Sequence, residues 1–264
     1  MPKDTFDDYK NELQYQKNTW ERKAILRLLY HHWYRKIISA FVPLEPVVEI
    51  GSGCGNFKEY YPACIATDVV RVGPWIDRIV DAHHLDFPPD SVGNLVVFDV
   101  IHHLQRPLGF LRQAEQVLRP GGRLILCEPA VTLWSRLVYG FFHHEPLDMA
   151  WDLFGLDALP PESDVGHTFA NEAIGELLFW KNRTRTLALI PQLTLCAATK
   201  FGFLLYPLTG GFGYRAYLPR MGFTWALAVE DILLSPFASW LTGLRMLVVL
   251  EKRSDTKRLP IISV

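Results

Sequence analysis

The run VVEIGSGCGNF at residues 47–57 limits what this chain can fold into more than any other stretch. Apolar residues with one acid, Glu49, read as a short buried strand. The glycines at 51, 53 and 55 then read as a corner from strand through loop to helix, where backbone can lie close against a ligand. A dinucleotide-binding corner places its third glycine so that the helix packs tightly on the sheet. Here that position is Asn56, and the third glycine is Gly55. The pattern is acid-x-G-x-G-x-G, and its neighbours have to decide what it holds.

Strand and helix patterns alternate on either side of the corner. Residues 8–41 carry apolar and aromatic positions at helical spacing, predicting one or two N-terminal helices. PVVEI is the first strand, and a short helix follows over about 56–61. CIATDVV is a second strand with Asp68 at its end, and RIVD a brief third ending at Asp81. NLVVFDVIHHL is a fourth running into a loop, PLGFLRQAEQVL an amphipathic helix, and RLILCEP a fifth strand. Short links between alternating elements predict an α/β fold: a Rossmann-like, doubly wound, mostly parallel seven-stranded sheet with helices on both faces. Such sheets take ligands outside the carboxyl ends of their strands, where these acids and histidines fall.

The pattern changes after Pro129. An aromatic- and histidine-rich stretch leads to the apolar segment 187–212, and alternation resumes at MGFTWALAVEDI and RMLVVLEKR, which read as the last two strands. The organisation expected is therefore N-terminal helices over 1–44, a ligand-binding core over 45–129, a cap over 130–215 forming the acceptor site, inserted between the fifth and sixth strands, and the last two strands and tail over 216–264.

Composition narrows the classes. The 27 basic and 28 acidic side chains leave a formal charge of -1, which gathers no nucleic acid. Apolar residues at 49% describe a folded globular chain rather than a disordered one. The four cysteines include no C-x-x-C pair, so neither a zinc site nor a disulfide framework is indicated, and no resident metal is expected. A charged N-terminal stretch without an apolar core reads as cytoplasmic. The segment 187–212 is interrupted by Lys200 and does not form a clean span. It reads either as peripheral contact with a membrane surface or as the lining of an apolar pocket.

Taken together and in order, VVEIGSGCGNF, ATDVV, VDAHHLDFPPDSVGNLVVFDVIHHL and VLRPGGRLILCEP resemble the class I S-adenosylmethionine (SAM) methyltransferases, in particular the type 11 group. The resemblance covers about 45–129 and, loosely, the last strands. It implies SAM as cofactor, held by Glu49, Gly51, Ser52, Gly53, Gly55, Asp68, Asp81, Ala82 and Asp99. In this reading the glycines approach the methionine part, Glu49 its ammonium, Asp68 the two ribose hydroxyls, and Asp81 with Ala82 the adenine edge, against which Leu85 packs. One departure stands out: Gly93-Asn94 occupies the place where the family usually has Phe-Asp, which puts the start of the fourth strand in question.

Methyl transfer asks the protein to align an acceptor and remove its proton, a task that suits histidine near neutral pH. His103 and His102 stand just beyond the fourth strand and are the first candidates. His143 and His144, in HHEPLDMAWD with Glu145, Asp148 and Asp152, open a second cluster that supplies a base, polar contacts to the acceptor or ligands to a metal, although it lacks the helical H-E-x-x-H arrangement. The expected activity is methylation of an oxygen or nitrogen on a small-molecule or carrier-linked sugar acceptor. The alternatives are a lipid- or quinone-like acceptor and a non-catalytic SAM-binding scaffold. Oligomeric state cannot be read from these residues.

Overall fold

The computed structural model describes residues 3–142, 145–155, 169–233 and 236–254. Two helices, α1 (Lys3–Arg22) and α2 (Ala24–Ser39), lead into the sheet. Then follow β1 (Val47–Ile50), α3 (Asn56–Tyr60), β2 (Ile65–Asp68), β3 (Arg78–Ile79), β4 (Val92–Phe98), α4 (Pro107–Val117) and β5 (Leu118–Pro129). The third strand stops two residues short of Asp81, which pairs instead through an isolated bridge to His84. The sheet order is β3-β2-β1-β4-β5-β7-β6, with β6 (Leu193–Phe201) and β7 (Arg245–Lys252). The first five strands run parallel, and β7 lies antiparallel between β5 and β6.

Residue alternation along the central strands explains the two layers of helices. Leu95 and Val97 of β4 join Leu124 and Leu126 of β5 in one core, with Leu108 and Leu111 of α4. Val96, Ile125 and Val249 face the other way, onto Leu26, Leu29, Tyr30, Trp33 and Ile37 of α2. Those α2 positions recur three or four apart, which is why the helix buries one stripe. Each such fully buried aliphatic side chain stabilises the fold by roughly 1.5–3 kcal/mol.

Gly93-Asn94 does not delay the fourth strand, which starts at Val92. Buried Asn94 clasps the linker ahead of β1, donating from Nδ2 to Val42 O at 2.9 Å and Leu44 O at 2.8 Å and accepting Val42 N–H at 3.0 Å. A Cβ on Gly93 would lie 2.0 Å from Leu44 O, so only glycine lets that linker approach. The departure from the family pattern is thus a local fastening.

The last third needs correction. MGFTWALAVEDI forms no strand; Phe223–Leu233 is a helix, and the sixth strand is Leu193–Phe201, inside the segment assigned to the cap. An apolar run does not by itself separate helix from strand, and β6 lacks a clean alternation because it is an edge strand. The insertion between the fifth and sixth strands therefore spans 130–192. It includes α5 (Leu133–Phe142), α6 (Ile174–Glu176), continued by a π-helical turn Leu177–Lys181, and α7 (Arg183–Ala188). Between β6 and β7 lie α8 (Leu205–Thr209), α9 (Phe223–Leu233) and α10 (Pro236–Thr242). The segment 187–212 is thus largely consumed in completing the sheet, with Leu193, Phe201 and Leu205 buried. Within it Leu204 is exposed, and the more exposed large apolar side chains that follow are Met221, Trp225, Ile232, Leu233 and Trp240. Among the described residues no helix is long and apolar enough to cross a membrane.

Candidate active site

At the end of β1 the glycine corner is pinned to β2. Ser52 N–H donates to Thr67 O at 2.8 Å, and Thr67 N–H returns to Ser52 Oγ at 3.0 Å. Ser52 is thereby spent on holding the loop. Gly51 and Gly55 both have left-handed backbone, and a Cβ on either would meet a neighbour at 2.4 Å, Val100 for Gly51 and Trp75 for Gly55.

Two carboxylates flank the corner. Asp68 accepts Gly53 N–H on Oδ2 at 2.8 Å and the Tyr9 hydroxyl of α1 on Oδ1 at 3.5 Å. Burial pushes its carboxyl up, against the pull of those donors and of the backbone N–H groups of Val69 and Val70. Glu49 is buried, and its Oε2 meets no hydrogen-bond partner. Burial drives its pKa up from the usual 4.5 to about 7, with a bond from Ser52 opposing. A buried carboxylate oxygen without a partner beside a glycine-rich turn is the setting in which an ammonium group would be held. Glycines, Glu49 and Asp68 thus fit the methionine and ribose parts of SAM. Asp81 is less committed: it accepts His83 N–H at 2.8 Å in a tight turn and is half exposed, while Ala82 and Leu85 behind it are buried.

Asp99 points elsewhere. Its carboxylate is gripped in fork fashion by Arg245 of β7, whose buried guanidinium lies over the rings of Trp33 and Phe98. Sequence reading missed Arg245 because its partner is 146 residues away. The carboxylate assigned to the cofactor is instead a tie between β4 and β7.

Beyond β4 a 3-10 turn, Ile101–His103, carries both histidines. His102 is buried, with Nδ1 at 2.6 Å from Glu128 Oε2 and Nε2 at 3.4 Å from Glu145 Oε2. Burial disfavours its charge, yet its hydrogen bonds to Glu128 and Glu145 hold it well above the ordinary histidine range. Glu128, at the end of β5, also takes the N–H groups of Val100 and Ile101 on Oε1, both at 2.9 Å. His103 is half exposed, its Nδ1 3.3 Å from Phe169 O and its Nε2 3.9 Å from Glu145 Oε1. Burial and the neighbouring His102 charge lower its pKa, with Glu145 opposing. His143 and His144 lie outside the described residues. Glu145, the next residue, comes to the site, whereas the Asp148 and Asp152 carboxylates accept backbone N–H groups of their own loop, from Ala150 and Phe154.

Asn171 fastens the insertion over these groups. Its N–H donates to His102 O at 2.9 Å, and its side chain bridges Asp148 and Ala173. Glu172 beside it is buried, which pushes its carboxyl up to about 8, opposed by the charge of His102. Neither Asn171 nor Glu172 belongs to a sequence motif.

A glycine corner and an acid at the end of β2 thus stand together at the carboxyl edge of the parallel strands, where such sheets take their ligands. Residues 48–126 match the family model described as a methyltransferase domain, Methyltransf_11. Solved structures agree in fold. A SAM-dependent methyltransferase from Archaeoglobus fulgidus shares 12% identity, with 86% of this chain and 94% of that one covered and a TM-score of 0.51. One from Thermotoga maritima shares 14%, covering 89% and 96%, with a TM-score of 0.52. A chain of the Haloferax volcanii complex between a methyltransferase and the Trm112 methyltransferase activator shares 14%, covering 96% and 98%, with a TM-score of 0.51. No curated protein matches the chain. Residues 48–126 thus carry a type 11 methyltransferase domain, and the chain has the fold of the SAM-dependent methyltransferases.

Proposed function

We infer that this chain is a SAM-dependent methyltransferase that acts on an oxygen or nitrogen of a small-molecule or carrier-linked sugar acceptor, in a reducing compartment such as the cytoplasm. Bound SAM supplies an electrophilic methyl group on a sulfonium. Glu49 takes the ammonium end, the backbone of 51–55 lines the methionine part, and Asp68 takes the ribose hydroxyls. Asp81 and Ala82 are left for the adenine edge.

The observation that carries the acceptor reading is the polar group that His102 and His103, beyond the end of β4, make with Glu145 of the 130–192 insertion. A hydroxyl- or amine-bearing acceptor finds hydrogen-bond partners there, and its proton has somewhere to go. In this reading the insertion, fixed by Asn171 on the His102 carbonyl, orients the acceptor, and half-exposed His103 is the member that meets it.

A lipid- or quinone-like acceptor is the second reading, supported by the exposed apolar side chains of α9 and α10, Trp225, Ile232, Leu233 and Trp240. Such residues are the kind that rest on a membrane surface and would bring the enzyme to an embedded acceptor.

The test is calorimetric titration with SAM and its demethylated product, followed by transfer of labelled methyl to sugar and lipid acceptors. His103→Ala is expected to lower turnover by about 10²–10⁴-fold while SAM affinity stays within about twofold. Unchanged turnover would remove His103 from the site, and SAM binding without transfer to any acceptor would favour a scaffold.

A further inference from the structure

The two histidines beyond β4 are held alike. Glu128 uses Oε1 for two backbone N–H groups, and its Oε2 takes His102 Nδ1–H. Phe169 O, which can only accept, takes His103 Nδ1–H. Both rings therefore turn Nε2 away from these partners, toward one carboxylate. His102 Nε2 lies 3.4 Å from Glu145 Oε2 and His103 Nε2 3.9 Å from Oε1. One ligand atom from each of the three side chains falls within 4.8 Å of the others.

A nitrogen lone pair aimed at a carboxylate is repelled unless something positive lies between. A proton on His102 satisfies the shorter contact. The 3.9 Å contact is too long for a hydrogen bond, whereas one cation can be shared by both rings and the carboxylate. A cation bound tetrahedrally at about 2.1 Å spaces its ligands about 3.4 Å apart, inside the 4.8 Å that bounds the three ligand atoms.

We propose that His102 Nε2, His103 Nε2 and the Glu145 carboxylate bind one divalent cation of the zinc kind, with a fourth position left for water or the acceptor. Two imidazoles and one carboxylate suit zinc better than magnesium or calcium, which prefer oxygen ligands. Glu128 and Phe169 O play the outer part, fixing ring orientation and tautomer. The other grouping, Asp99 with His102 and Glu128, is spent on Arg245 and on backbone. The assignment rests on the methyltransferase reading only for the use of the cation. An acceptor hydroxyl bound at the fourth position would be acidified, with its proton released to solvent past His103.

The test titrates Co²⁺ alone into the chelator-treated full chain. The expected result is one saturable equivalent with the visible absorption of four-coordinate Co²⁺, displaced by Zn²⁺. Glu145→Gln and His103→Ala, both at partly exposed positions, are expected to weaken it at least about 100-fold. SAM binding on the same samples separates the two readings. If SAM binds but Co²⁺ gives no such absorption, or the variants bind Co²⁺ as the parent does, the cation site is overturned and the methyltransferase reading stands. If Co²⁺ binding is present and lost in the variants while SAM does not bind, the cation site stands and the methyltransferase reading falls.

Discussion

The two halves of the sheet's carboxyl edge are built in opposite ways. At β1 and β2 the groups come from residues 49–82, close in sequence, and backbone does most of the holding, as in Ser52 with Thr67 and Gly53 with Asp68. At β4 and β5 they come from 101–103, 128, 145 and 171–172, joined by buried charge and long-range hydrogen bonds. A locally encoded site keeps its shape whatever is inserted above it. A site gathered from distant segments changes with every change in the insertion, which is how one cofactor fold serves many acceptors.

The contrast can be broken by substitution. The largest effect is expected on the gathered side: Glu128→Ala strands His102 and two backbone N–H groups and should lower stability by about 3–5 kcal/mol in denaturant titration. A loss under about 1 kcal/mol would mean that the network is not what holds the insertion. On the local side Asp68→Ala should leave the fold in place and weaken SAM binding by more than about 100-fold, from two lost hydrogen bonds to a charged group. Calorimetry that shows less than about a fivefold change would move the ribose site elsewhere.

Glu49 sharpens the comparison by pH. Its folded-state carboxyl titrates near 7 against a usual 4.5, so the native protein holds a proton that the unfolded chain has released between those values. Stability without cofactor therefore falls as pH rises through that window, by at most about 3 kcal/mol at pH 8. Glu49→Gln should raise the melting temperature at pH 8, leave it unchanged near pH 4, and weaken SAM binding. An equal shift at both pH values would refute the assignment. The smallest effect is expected from Tyr9→Phe. Removing the 3.5 Å bond to Asp68 should tighten SAM binding about two- to fivefold, a difference of about 0.5–1 kcal/mol. Weaker binding would make Tyr9 a ligand of the cofactor instead.

What was legible follows the same divide. The glycine corner, Asp68 and the first five strands could be read because each is a local pattern. Glu128 sat in a quoted motif, RLILCEP, without a role, since its partners are a turn 26–28 residues earlier. Asn171 and Glu172 belong to no motif, Arg245 opened the quoted strand RMLVVLEKR without a role, and Asp99 was misassigned because a carboxylate at a strand end looks the same whether it faces a ligand or a distant arginine. β6 was missed because an edge strand over mixed surroundings lacks clean alternation, whereas the apolar run at 223–233 imitates one.

Strand order also sets a sequence in time. β6 is synthesised before β7, yet among the described residues β7 is its sole strand neighbour and separates it from β5. During synthesis the five parallel strands can pair while β6 waits without a partner, both of its edges open. The Asp99–Arg245 tie likewise forms only when β7 arrives. The nascent chain would thus acquire a cofactor pocket well before it acquires a finished acceptor side, and the interval between the two is when unpaired β6 is most open to mispairing.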